Sequence, residues 1–91
     1  MKSILFKNDY DKKSSWVNMH SCKYISAERE GIDLYFIDNT TYKVVSIEYM
    51  KSAQVSDKAV LDAIVDRIWG SSDDAIVDID KIIELLQKEG K

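Results

Sequence analysis

The apolar residues of this 91-residue chain change period near residue 50, and that change constrains the fold more than any single residue does. Up to Tyr49, apolar and aromatic side chains come in short runs that alternate with polar ones, the two-residue period of strands. From Val60 onward they recur at three- and four-residue steps, the period of an amphipathic helix. Helices of this kind bury their apolar stripe by lying on a sheet. We therefore expect an α+β domain covering 1–91. An antiparallel β-meander of four to five strands would occupy a strand-rich 1–50. Two C-terminal amphipathic helices, 56–69 and 73–89, would pack on one face of the sheet.

Local signals place the elements within that frame. Residues 3–7 read as an edge strand, Asn8 to Ser14 as a polar turn, and Ser15–Asn18 and Lys23–Arg29 as further strands. Glu30-Gly31 breaks the pattern. Ile32, Leu34 and Phe36 then alternate onto one face, with Asp33, Tyr35 and Ile37 on the other. Asp38-Asn39-Thr40 is a turn, because Asn tolerates positive φ and Asp bonds its own downstream backbone. Thr41–Tyr49 reads as the last strand. Its alternation slips at Val44-Val45, which predicts a bulge there or a strand end buried on both sides.

Ser56 is a good helix N-cap with Asp57 in the first turn, and Gly70 is placed to close that helix in the usual C′ position. Ser72-Asp73-Asp74 offers a second start, although the β-branched Ile76-Val77-Asp78-Ile79 would let that helix begin as late as Asp78. The expected core is Ile32, Leu34, Phe36, Val60, Ile64, Ile68, Ile79, Ile83 and Leu86. The stripe Ile76, Ile79, Ile83, Leu86 is read as core facing the sheet, ahead of a self-associating seam.

Composition removes several classes. With 45% hydrophobic and 32% charged residues the chain is neither fibrous nor disordered. Its one cysteine, Cys22, excludes an intramolecular disulfide. Together with an N-terminus lacking a signal-type apolar run and no stretch of about 18–20 apolar residues, this sets the expectation of a cytoplasmic protein with no membrane role. Eleven Lys against two Arg, with abundant Ile and no Pro, suggest a bacterial or phage source.

Catalytic and metal signatures are sparse. His20 and Cys22, two apart, would share one face of a strand, and a thiolate beside an imidazole is a workable nucleophile. No third residue orients the histidine, so an inert cysteine beside a surface histidine is the expectation. Asp9-x-Asp11 and Asp78-x-Asp80 resemble carboxylate pairs for Ca²⁺ or Mg²⁺, but they lack the glycine and distal glutamate of a calcium loop. Glycines occur only at 31, 70 and 90, which leaves no phosphate-cradling loop and no nucleophile elbow. The expectation is a protein that is not an enzyme and uses no cofactor and no metal.

Two surfaces remain as candidates. Tyr24 and Tyr35, with Lys43 alongside, would stand on the outward sheet face, where tyrosines stack on bases or anchor a protein interface. The strand rhythm of Lys23-Tyr24-Ile25, Leu34-Tyr35-Phe36 and Tyr42-Lys43-Val44 is similar to that of the LytTR family of bacterial DNA-binding domains, over less than a third of the chain. That resemblance implies DNA binding. The acidic helices and the scarcity of Arg depart from it.

The second surface is acidic. Seven Asp lie between Asp57 and Asp80, against only Lys58 and Arg67. Such a surface repels phosphate backbones and suits a basic protein. Asp62, Asp66 and Asp74 are the carboxylates expected to meet a partner. The functional expectation is thus a small protein–protein interaction module of bacterial or phage type. It would act as a regulator, an immunity protein or an inhibitor of a basic, nucleic-acid-processing target. Nucleic-acid binding through the open sheet face is the alternative.

Overall fold

The strands form two three-stranded sheets, not one meander. In the computed structural model, residues 2–70 and 74–89 are described. The order is β1 (Ser3–Asn8), β2 (Lys13–Asn18), β3 (Cys22–Glu28), β4 (Gly31–Phe36), β5 (Thr41–Ser46), α1 (Ile47–Ala53), α2 (Asp57–Trp69), β6 (Ala75–Asp78) and α3 (Ile79–Glu89). One sheet has the order β2-β1-β6 and the other β3-β4-β5. All pairings are antiparallel except β1 with β6, which is parallel.

The largest departure from expectation is β6. The segment around Ile76-Val77 was expected inside a helix running from residue 73. It is instead a strand that pairs Ile4 with Ala75 and Phe6 with Val77. Its β-branched residues fit a pleated surface better than a helical turn, and β1 supplies the partner. Strand β1 is therefore the centre of its sheet and not an edge. Helix α3 begins at Ile79, and the Asp78 carboxylate accepts the Lys81 N–H at 3.1 Å, satisfying one free donor of its first turn. Ser72 and Asp73, the expected start, lie outside the described residues.

A second departure is α1. Ile47 and Tyr49 were expected in a strand, but Ser46 stops it. Its hydroxyl accepts the Tyr49 N–H at 3.1 Å, and Glu48 adds an acid to the first turn. Gln54 closes the helix in the left-handed conformation (φ 59°, ψ 43°), and Val55 N–H returns to Met50 O at 3.1 Å.

Other expectations are met. The β4–β5 register passes from Ile32 opposite Val45 to Asp33 opposite Lys43, which leaves Val44 as the bulge residue, and both valines are buried. Helix α2 starts on Ser56 and ends at Trp69, although Gly70 closes it in a right-handed conformation (φ −76°, ψ −6°) and not the left-handed one usual at C′. Gly31 is held at φ 147°, where a Cβ would lie 2.2 Å from Val45 O, so no other residue fits the start of β4.

Side chains, not a ladder, join the two sheets. The free edge of β5 faces the β1–β2 hairpin. Asn8 Nδ2 donates to Val44 O at 3.0 Å, and Lys13 Nζ donates to Lys43 O at 3.3 Å. Asp11 receives the Ser46 N–H at 2.8 Å and the Ser46 hydroxyl at 2.6 Å. Asn8 is completely buried, yet its amide and carbonyl are both satisfied through Val44 and Asp11. At the other end of β1, the Lys2 ammonium donates to the Ile68 carbonyl near the C-terminus of α2.

The core lies between the inner faces of both sheets and the three helices. Ile32, Leu34, Val60, Ile64, Ile68, Ile79 and Ile83 are buried as expected, joined by Ile4, Phe6, Val45, Met50, Val77 and Ile82. Phe36 and Leu86, expected in the core, are only half-buried at its margin. Ile76 is 63% exposed, because the pleat that turns Val77 inward turns its neighbour out.

Candidate interaction surfaces

The carboxylate pairs noted in the sequence converge, but as structural acceptors. Asp80 takes the Tyr49 hydroxyl at 2.5 Å and the Asp9 N–H at 2.9 Å. Tyr10 stacks on Tyr49 with ring centroids 4.3 Å apart, so the hairpin tip clamps onto α1 and α3. Lys7 lies 3.2 Å from Asp9 and 3.9 Å from Asp78, and that acidic company raises its pKa, the hydrogen bond to Asp9 most of all. Among the described residues no three His, Cys, Asp or Glu side chains gather as metal ligands.

His20 and Cys22 do not share a strand face. His20 sits in a single 3₁₀ turn, Met19–Ser21, whose start is capped by the Asn18 side chain, and Cys22 opens β3. Burial pushes the Cys22 thiol up from its ordinary value, away from the thiolate a nucleophile needs.

Tyr24, Tyr35 and Lys43 do share one solvent-facing sheet surface. Tyr24 is opposite Tyr35 in the β3–β4 register, and their rings stack with centroids 4.6 Å apart. The Tyr35 hydroxyl donates to Glu28 at 2.9 Å, which pushes the phenol up to about 12. Lys43 is opposite Asp33 and lies 3.9 Å from Glu30. Lys43 thus has Glu30 and its cross-strand neighbour Asp33 beside it, and Glu28 adds a further carboxylate to the strands of this sheet, which gives a phosphate backbone little to hold.

The outer face of the other sheet carries an apolar row that sequence reading missed. Leu5 is opposite Trp16 on β2 and Ile76 on β6. Trp16 is 59% exposed, and Leu5 is half-buried between its neighbours. Trp16 lies within Ser15–Asn18, expected as a strand, and Leu5 within the strand expected at 3–7. The row exists only through the parallel β1–β6 pairing, which no local pattern announces.

The acidic residues divide. Asp74 lies apart, just before β6, and its carboxylate accepts the Ser3 N–H at 2.8 Å, so it pins β6 beside β1. Asp62 and Asp66 are exposed one turn apart on α2. They stand on the wall of a groove of about 420 Å³ between α2 and α3. Ala63, Ile82, Leu85 and Leu86 give it an apolar floor, and Glu89 stands opposite on α3. Arg67, the one base among the described lining residues, donates to Ala63 O at 3.3 Å along its own helix. Among the described residues, Asp62, Asp66 and Glu89 take part in none of the ion pairs. Like charges four apart weaken a helix slightly, and here that arrangement borders the groove.

No described helix is long and apolar enough to cross a membrane. No family model, curated protein or solved structure matches the chain.

Proposed function

We propose that this protein is a small protein–protein interaction module that binds a partner with a basic surface, as a regulator, immunity protein or inhibitor. The observation that supports this reading is the groove between α2 and α3. Apolar side chains there lie beside Asp62, Asp66 and Glu89, which take part in none of the ion pairs among the described residues, with Arg67 as the single base of the described lining. Apolar burial supplies affinity, and charge on the rim supplies orientation and a fast encounter. The tyrosine face supports nucleic-acid binding less well, since Glu30 and Asp33 lie beside Lys43 and Glu28 holds the Tyr35 hydroxyl.

Affinity capture from the source cell, after nuclease treatment, tests the reading. The wild-type domain is compared with Leu85→Glu and with the double variant Asp62→Asn/Asp66→Asn. A protein enriched by the wild type and depleted by both variants is expected. Recovery of nucleic acid alone from an untreated sample, or an identical protein profile for all three baits, overturns it.

A further inference from the structure

Resting on that protein-binding reading, we propose that the α2–α3 groove receives one basic amphipathic helix of the partner. Every described residue lining the groove belongs to a helix: Asp62, Ala63, Asp66 and Arg67 to α2, and Ile82, Leu85, Leu86 and Glu89 to α3. Apart from the last-turn carbonyls of α3, the backbone groups along the groove are bonded within their own helices, so the groove offers no strand edge to an extended peptide. An occupant must satisfy its own backbone, and a helix does so. A third helix seated between two others also uses the ridge-and-groove packing that helices prefer.

The rims specify what flanks the apolar stripe. Asp62 and Asp66 stand one turn apart on one side, and Glu89 stands on the other. Lys or Arg residues bordering an apolar stripe at i, i+3, i+4 and i+7 meet both rims while the stripe covers Leu85 and Leu86. A second copy of this chain is a poor occupant, because its own helical flank would bring Asp62 and Asp66 against the same carboxylates. An acidic or uncharged helix would cover the rim carboxylates without pairing them.

The test uses the whole domain and a fluorescent peptide of Leu and Lys arranged as such a helix. Two controls accompany it: the same composition scrambled to remove the stripe, and the same stripe with Glu replacing Lys. The Leu/Lys helix is expected to bind, and both controls to bind at least about tenfold more weakly. Asp62→Asn/Asp66→Asn should weaken binding about tenfold at about 50 mM salt, with the gap closing near about 500 mM. Leu85→Glu should abolish it. Leu85 is 40% exposed, and the two aspartates are exposed, so these variants should keep the wild-type circular dichroism spectrum and urea midpoint.

Equal binding of the Glu peptide or the scrambled peptide overturns the proposal. So does indifference to the groove variants, or a self-association that Leu85→Glu abolishes. If the Leu/Lys helix fails while whole-domain capture still depends on Leu85, the helical occupant is wrong and the protein-binding reading stands. Failure of both experiments removes both.

Discussion

Tyr49 donates its hydroxyl to Asp80 across 2.5 Å, tying α1 to the first turn of α3. Burial first, and then this bond to a carboxylate, push the phenol above its ordinary value of 10.0. The folded state thus holds the proton more tightly than the unfolded chain. The resulting stability is complete below about pH 10 and is lost as pH rises through the folded-state value. Tyr49→Phe should cost about 1–2 kcal/mol at neutral pH. In urea unfolding at stepped pH, the gap to wild type should narrow above about pH 10. A gap constant to high pH would show that the hydroxyl does not carry this bond.

Asp11→Ala should loosen the junction between the sheets. It removes the acceptor for the Ser46 N–H and hydroxyl and leaves Asn8 Nδ2 with Val44 O alone. The expected loss is about 2–3 kcal/mol in urea unfolding. Hydrogen exchange at the Ser46 amide should accelerate more than at amides within β4.

Gly31→Ala combines a backbone conformation that L-residues avoid with a Cβ placed 2.2 Å from Val45 O. We expect a loss of about 2–4 kcal/mol, measured by thermal unfolding. A variant as stable as wild type would show that β4 starts differently.

Leu34→Ala and Phe36→Ala separate core from margin on one strand. Leu34 is fully buried and should cost about 3–5 kcal/mol. Phe36 is half-buried, so its larger side chain should cost about half as much. Equal losses in parallel urea titrations would contradict the burial described.

Trp16→Thr should change stability by less than about 1 kcal/mol. The indole is 59% exposed and touches the fold through its row with Leu5. A larger loss would mean that something covers that face in solution.

The α2–α3 site was half legible in advance. Asp62 and Asp66 were visible as an acidic pair four apart, because a helix sets that spacing locally. Their connection to Leu85, Leu86 and Glu89 was not, since it depends on how two helices cross. Asp74 was grouped with them by sequence proximity, but β6 carries it to the Ser3 backbone. Helix α1 had a signal that was passed over: Ser46, with Glu48 and then Tyr49, Met50 and Ala53 at helical spacing. The β-branched run before it favoured a strand, and the stop at Gln54 lacks the usual glycine.

Local rules therefore determined what depends on neighbours in sequence. These are the alternation of β4, the bulge at Val44, the turn at Asn39, and the helix between Ser56 and Gly70. In each, backbone conformation and side-chain period are set within a few residues. Tertiary structure decided what depends on a distant partner. Whether Ala75–Asp78 is strand or helix turns on β1 being there to receive it. That pairing makes β1 the centre of its sheet, sets Leu5 between Trp16 and Ile76, and turns Asp74 into a strand anchor. A short β-branched segment has a weak preference of its own, and the ladder and the burial of Val77 beside Phe6 outweigh it.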